Sequence, residues 1–477
     1  MVEGGSAGRV GGVDEQTETG NGRRFVVVAN RLPVRWVEED ERWATSPGGL
    51  VSALSPVLQE RHGVWVGWPG TADGPEDTFE VDGIVQKPVS LTEDEIEDYY
   101  EGFSNGTIWP LYHDAIRPVE MHRHWWRPYQ AVNQRFADAV LEVIEPGDAV
   151  WVQDYQLQLV PQMVREKAPE GTRIGFFLHI PFPPLEIFGR LPWRKQVVKG
   201  LLGADTIGLH TRQSLLNFGR AARRYGDAHG PSEGLEVDGR IVQVEPVPIS
   251  IDSKKFREAS IAPETVAAAY QLRMELGRPR SIILGVDRLD YTKGIDLRLR
   301  AFETLLERRP DLHGEVVFVQ VAVPSREGVE EYQVIRQRVE QLVGRINGAY
   351  GQPDWTPVHY RYRGLPQDEL IAYYRAADVM MVTPLRDGMN LVAKEYVATR
   401  VEGTGVLVLS EFAGAAEQMQ EALIVNPYDL DRLADVLGKA VDLPPDEQRR
   451  RIGALRRDVD RWDVHAWANH CLHTLDV

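Results

Sequence analysis

The chain has 477 residues, 43% of them hydrophobic and 26% charged, with a formal net charge of −17. That length predicts two or three domains rather than one core, and the acidic balance argues against nucleic acid or an anionic membrane as a partner. The single cysteine, Cys471, excludes an intrachain disulfide and predicts a reducing cytoplasmic setting, and no apolar stretch is long enough to span a bilayer.

Residues 1–24 are Gly-rich and polar with no apolar segment, which predicts a disordered tail rather than a signal peptide. From Phe25 onward, short apolar runs alternate with longer amphipathic ones. The predicted strands are Phe25–Ala29, Val64–Gly67, Ala149–Gln153, Ile174–Leu178, Thr206–Leu209 and Ile241–Val247, with helices at Arg127–Ile144, Leu157–Lys167 and Gln213–Tyr225. The prolines of Glu245-Pro246-Val247-Pro248-Ile249 stiffen an extended connector. The alternation then restarts with strands at Ser281–Val286, Val316–Val321, Val358–Tyr362, Val379–Val382, Val406–Leu409 and Leu423–Val425. Helices Ile295–Arg308, Val329–Asn347, Asp368–Ala376 and Leu430–Val441 lie between them. This pattern predicts an α/β protein whose parallel sheets are covered on both faces. Two Rossmann-like domains, 25–248 and 249–460, would face each other across a cleft. A last helix, Trp462 to Leu475 within 461–477, would pack back across the domain boundary.

In open α/β sheets, ligands bind beyond the carboxyl ends of the strands. In the first half those ends carry Asn30-Arg31-Leu32-Pro33, Asp154-Tyr155 and His179-Ile180-Pro181-Phe182-Pro183, and a Gly48-Gly49 pair opens the helix after the first strand. In the second half they carry Asp287-Arg288-Leu289-Asp290-Tyr291-Thr292-Lys293-Gly294 and Pro324-Ser325-Arg326. Arg288 and Lys293 are cations on one short loop, suited to a leaving diphosphate. The most informative run is Thr383-Pro384-Leu385-Arg386-Asp387-Gly388-Met389-Asn390-Leu391-Val392-Ala393-Lys394-Glu395, which follows a strand and predicts a helix from Asn390 to Thr399. The amides of Met389, Asn390, Leu391 and Val392, freed by Gly388, would form an anion cradle at the helix start. Asp387 and Glu395 would flank it, an arrangement that suits a nucleotide-sugar. Plainer readings stand beside each of these: a solvated βα turn, Asp154 as a helix N-cap, His179 as a core histidine bonded to backbone, and Arg288 paired with Asp290.

Several of these motifs in order resemble the trehalose-6-phosphate synthase family, retaining glucosyltransferases of the GT-B fold. The resemblance rests on Phe176–Pro183, Arg288–Gly294, Thr383–Glu395, Phe103-Ser104-Asn105 with Trp109-Pro110, Gly344–Gly348 and Val406–Ala416, and it runs from about Phe25 to the final helix. It implies transfer of glucose from a nucleoside diphosphate glucose, UDP-glucose first, to glucose 6-phosphate, without metal or other cofactor, by a homodimer or homotetramer. On the acceptor side, it implies that Arg31, Tyr100 and Arg326 hold the phosphate and that Asp154 and Trp109 line the sugar pocket. On the donor side it assigns Gly48 and Gly49 to close approach, Arg288 and Lys293 to the diphosphate, and Leu391 and Val392 to backbone contacts. His179 and Asp387 would bind the transferred glucose and Glu395 the ribose. Gln153-Asp154-Tyr155-Gln156 departs from the family's usual His-Asp-Tyr-His, and Leu365 stands beside the donor base where relatives carry an aromatic residue. Two alternatives remain open on the residues: another phosphorylated acceptor such as glycerol 3-phosphate, and an inactive sugar-phosphate sensor.

Overall fold

The computed structural model describes residues 23–37, 42–46, 49–72, 74–325 and 330–477. Gly48, Arg326 and most of the predicted tail therefore lie outside the described residues. In the first half the strands are β1 (Phe25–Arg31), β2 (Val34–Val37), β3 (Arg42–Thr45), β4 (Val64–Trp68), β5 (Phe79–Val81), β6 (Ile84–Pro88), β7 (Ala149–Gln153), β8 (Arg173–Phe177), β9 (Thr206–Leu209), β10 (Gly234–Val237) and β11 (Arg240–Pro246). Nine of them form one sheet in the order β10-β11-β9-β8-β7-β1-β4-β6-β5, while β2 and β3 pair separately. The pairing is parallel except at the two edges, β10–β11 and β5–β6. The second half supplies β12 (Ser281–Arg288), β13 (Val316–Val323), β14 (Val358–Arg361), β15 (Val379–Val382), β16 (Val406–Ser410) and β17 (Leu423–Val425). These form a six-stranded sheet in the order β14-β13-β12-β15-β16-β17, parallel throughout.

Strand alternation fixes where the core sits. Along β1, Val26 and Val28 enter one buried cluster, while Phe25, Val27 and Ala29 enter another on the opposite face, as the two-residue period of a strand requires. The strand orders also locate the site. In the first sheet the chain winds from β1 through β4 to β6, then jumps to β7 on the other flank of β1. In the second it winds from β12 to β14, then jumps to β15 beside β12. Each jump opens a crevice at the carboxyl ends, the place where doubly wound sheets bind ligands. Arg31 and Asp154 flank the first crevice; Arg288 and the Thr383–Glu395 run flank the second.

Several elements differ from the sequence expectation. The β2–β3 hairpin, β5, β6 and β10 are short or half-exposed, so they lack the continuous apolar run that marks a buried strand. Helices Ser253–Ile261 and Pro445–Arg461 were likewise hidden by their polarity, and Pro263–Glu275 by the lack of a one-sided apolar face. The predicted helix over Leu157–Lys167 is confined to Val160–Arg165, with Pro161 accepted in its first turn. Residues Ile96–Ile108 form a π-helix, whose five-residue hydrogen-bond step has no distinct hydrophobic signature. It carries Tyr100 and the Phe103-Ser104-Asn105 motif.

The chain crosses between the domains twice. The first crossing follows β11, where the Lys394 ammonium donates to the Ile249 carbonyl at 2.9 Å and to Gln418 Oε1 at 2.7 Å. The second leads into helix Val464–Thr474. Trp462 Nε1 donates to Pro248 O at 2.7 Å, and Val464 N donates to Ile251 O at 2.9 Å, so the two crossings are laced together. Trp467 then packs 5.3 Å from Trp151 and 5.1 Å from Phe177, which seats the last helix on the first sheet.

Beneath the second crevice, the Arg298 guanidinium has no solvent exposure. It donates to Asp287 Oδ2 at 2.6 Å, Gln320 Oε1 at 3.0 Å and Thr383 Oγ1 at 3.0 Å. A Cβ at Gly285 would meet Arg298 Nη1 and Gln320 Oε1, each at 2.4 Å. Gly285→Ala is therefore expected to lower unfolding free energy by about 1–3 kcal/mol, measured by urea denaturation. Lys394 gives a second test, because burial pushes its pKa down to about 7. Between pH 7 and 10 the unfolded chain would bind a proton there that the native state does not, so the native state gains stability as pH rises. Relative to Lys394→Met, the wild type should gain up to about 1.4 kcal/mol per pH unit across that window; a flat difference between pH 6 and 9.5 would refute this.

Candidate active site

The residues predicted for the donor side gather around one largely buried ion pair. The 3₁₀ turn Tyr291–Lys293 places the Lys293 ammonium on Asp387 Oδ2, and Asn390 Nδ2 donates to the same oxygen at 3.2 Å. Gly294 closes that turn with φ +64°, and a Cβ there would lie 2.8 Å from Thr383 O, so glycine serves both the left-handed backbone and the close approach. Burial alone would raise the Asp387 pKa. Lys293, with His113 and Arg288 nearby, more than offsets this and holds it below the usual carboxylate range. Asp387 is thus an anion paired with Lys293.

The loop that carries Asp387 is held by the Ser410–Ala416 segment. Asp387 N donates to Phe412 O at 3.1 Å, Gly414 N to Asp387 O at 3.2 Å, and Ala415 N to Met389 O at 2.9 Å. A Cβ on Gly414 would fall 1.8 Å from Gly388 O. Gly388 itself has no left-handed φ, contrary to its expected role as a backbone relaxer. It is glycine for close packing: its Cβ would meet His179 O at 2.5 Å and His210 Cδ2 at 3.1 Å. Asn390 takes the left-handed turn instead, with φ 71°, a region asparagine tolerates. The helix consequently begins at Val392 rather than Asn390, with Leu391 as its N-cap. Only Leu391 and Val392 of the predicted cradle lie at the helix start, while Met389 belongs to the preceding loop.

Across the cleft, Asp154 has φ 72° and makes no N-cap bond. Its Oδ1 accepts from the His179 amide at 3.1 Å, so the N-cap reading fails. The His179 ring faces a side chain, not backbone: Nε2 lies 3.0 Å from Gln153 Oε1, which accepts its proton and leaves Nδ1 as an acceptor. Burial lowers the His179 pKa to about 4, so the ring is neutral at physiological pH. Asp290 is not the partner of Arg288 in these hydrogen bonds: it accepts from Thr292 N, Thr292 Oγ1 and Tyr332 Oη at 2.9, 2.8 and 3.0 Å. The Arg288 guanidinium lies 5.4 Å from the Trp109 ring centroid, joining a residue of one domain to a residue of the other.

Arg31 and Tyr100 meet at the end of the first crevice. The Arg31 guanidinium lies 3.9 Å from the Trp68 centroid and 5.6 Å from that of Tyr100, and a Cβ at Gly70 would be 2.0 Å from Arg31 Nη1. Glu395, raised in pKa by burial, accepts from Tyr374 Oη at 2.7 Å. Leu365 is half-buried against the second domain's core, and Gly49 opens helix Gly49–Glu60.

Three residues at this site were not picked out from sequence. His210 directly follows β9, so the strand-end rule could have found it. Its Nδ1 accepts from Ile249 N at 3.4 Å and its Nε2 donates to His179 O at 3.2 Å. His113 lies four residues after Trp109, a one-turn spacing; its Nδ1 donates to Trp109 O at 2.7 Å, and the rings are 4.2 Å apart. Arg298 carried no signal, since a charge on an amphipathic helix reads as exposed.

The chain matches the model of glycosyltransferase family 20 over residues 23–477. It belongs to that family. The trehalose-6-phosphate synthase of Mycolicibacterium smegmatis is 51% identical over 463 residues, spanning 94% of this chain and 92% of the relative. A solved structure from E. coli bound with UDP-2-fluoro glucose superposes with a TM-score of 0.87 at 36% identity, covering 95% of this chain and 99% of that one. An α,α-trehalose-phosphate synthase (UDP-forming) from Burkholderia xenovorans in complex with glucose-6-phosphate gives a TM-score of 0.87 at 34% identity, covering 95% and 100%. The expected GT-B architecture thus holds for this family 20 chain. Because Gly388 is the seat where the two domains touch, Gly388→Ala should cut glycosyl transfer about 100-fold while the circular dichroism spectrum is kept. Activity within a few-fold of wild type would remove that role.

Proposed function

We propose that this chain transfers glucose from a nucleoside diphosphate glucose, UDP-glucose first, to the anomeric hydroxyl of glucose 6-phosphate. Configuration is retained, and the products are α,α-trehalose 6-phosphate and the nucleoside diphosphate. The observation that carries the reading is the buried Lys293–Asp387 pair at the interdomain contact. It couples a phosphate-binding cation to a sugar-binding carboxylate in a chain similar end to end to trehalose-6-phosphate synthases.

The chemistry follows from charge. As the glycosidic bond to the diphosphate breaks, negative charge grows on the leaving phosphate and positive charge on the sugar ring. Arg288 and Lys293 oppose the first, together with the amides at Leu391 and Val392, in positions fixed before the reaction. Asp387 is freed for a glucose hydroxyl as Lys293 turns to phosphate, and the neutral His179 offers Nδ1 to another. Retention by double displacement needs a free carboxylate below the anomeric carbon. Asp387 is engaged first by Lys293 and then, in this reading, by a glucose hydroxyl, Glu395 is held by Tyr374, and Asp154 by the His179 amide. Front-face attack is therefore favoured, with the leaving phosphate taking the acceptor's proton. On the acceptor side, the Arg31 guanidinium, stacked on Trp68 and beside Tyr100, suits the 6-phosphate, with Arg326 as its second cation.

A homo-oligomer and a cytoplasmic location complete the proposal; light scattering and cell fractionation test them. Arg288→Ala and Lys293→Ala should each lower turnover by a factor on the order of 10² or more with cooperative unfolding retained, in an assay of nucleoside diphosphate release that depends on glucose 6-phosphate. Near-normal rates in both would dismiss the leaving-group role. Equal turnover with glycerol 3-phosphate would favour the other acceptor.

A further inference from the structure

The segment from His113 to Arg117 belongs to the first domain and reaches three residues of the second, Arg386, Glu331 and Tyr291. It leaves the short helix Trp109–Tyr112 through two consecutive residues with left-handed backbone, Asp114 at φ 59° and Ala115 at φ 50°. Neither is glycine, so the surrounding contacts must hold this conformation. Ala115 N donates to Pro110 O at 2.9 Å, which folds the segment back under Trp109. His113 stacks on Trp109 and stands in the field of Asp387, Asp290 and Lys293. The Asp114 carboxylate lies 3.3 Å from Arg386 Nε, on the residue next to Asp387. Arg117 pairs with Glu331 and lies 5.3 Å from the Tyr291 ring, two residues before Lys293.

These contacts reach the acceptor wall at Trp109 on one side and both ends of the Lys293–Asp387 pair on the other. The Asp114–Arg386 contact is also incompletely made. Asp114 Oδ1 and Arg386 Nε are both buried, and neither has a hydrogen-bond partner among the described residues. Buried polar atoms of this kind gain from a small movement that aligns them, and hydrogen bonds at apo sites tighten when the ligands arrive.

Resting on the function proposed above, we propose that residues 113–117 are a latch across the cleft, with Asp114 and Arg117 as positioning residues that make donor and acceptor binding cooperative. Filling the donor side moves Arg386 and Tyr291. Through Asp114 and Arg117 this seats the segment beneath Trp109, and the acceptor pocket is completed. By linkage, glucose 6-phosphate then tightens donor binding by the same factor.

The test is calorimetric titration of the full chain with glucose 6-phosphate, in the presence and absence of saturating UDP, and the reverse. In the wild type UDP should tighten glucose 6-phosphate binding about tenfold. In Asp114→Ala/Arg117→Ala that factor should fall to about one, with each ligand alone binding within about twofold of wild type. Asp114→Asn, which keeps the left-handed backbone and loses the charge, should reduce the factor partway and serves if the double variant does not fold. An unchanged factor in these variants, or no coupling in the wild type, overturns the latch alone. A wild type that binds neither UDP nor glucose 6-phosphate overturns the proposed function, and the latch with it.

Discussion

The catalytic half of the molecule depends on one buried guanidinium. Arg298 enters the second domain from beneath and binds Asp287 at the end of β12, Gln320 within β13 and Thr383 just after β15. Its Nη2 also reaches the Lys293 carbonyl at 3.4 Å. Those are three adjacent strands of the sheet and the turn that presents Lys293. A charge taken wholly out of water is tolerable only when its partners are all in place, so the group punishes any displacement of the strand ends relative to one another. The Lys293–Asp387 pair above it inherits that rigidity. Preorganisation at the surface of the cleft thus begins with electrostatics underneath it.

The two domains meet where side chains are missing. Gly388 and Gly414 let three backbone segments approach to distances that a single Cβ would forbid, and His210 ties the connector amide at Ile249 to the His179 carbonyl. His179 and Asp387, from opposite domains, are therefore positioned by main-chain contact rather than by long, flexible side chains. This suits a reaction whose competing outcome is donor hydrolysis, because water is excluded by the same close approach that aligns the reactants.

Much of this was legible in the sequence, for identifiable reasons. Buried parallel strands such as Val379–Val382 are continuous apolar runs, so the two sheets and their carboxyl ends could be read directly. The strand-end rule then drew attention to Arg31, Asp154, His179, Arg288 and Asp387. The misread side chains share a cause: their role is set by a partner distant in sequence. Gly388 looked like a flexible turn because its neighbour, His179, is far along the chain, and Asn390 gave no sign that it would take the left-handed turn. Arg298 looked solvated because helical periodicity does not reveal what lies under a helix. The π-helix under Tyr100 escaped because hydrophobic patterning distinguishes a period of 3.6 from a period of 2, but not from a slightly wider coil.

The paired crossings between the domains carry a mechanical consequence. A single connector would let the domains swivel in any direction, like a ball on a cord. Here the strand leading out of β11 and the turn before the last helix are bonded to each other at Pro248 and at Ile251, and Trp467 anchors the returning chain in the first sheet. Two adjacent pins define an axis. Rotation about that line is the movement that leaves both bonded crossings intact, and it would open the cleft like a door, at the edge away from the pins. Helix Val464–Thr474 supplies the second pin of that hinge, so the hinge is complete only when this helix is docked on the first sheet.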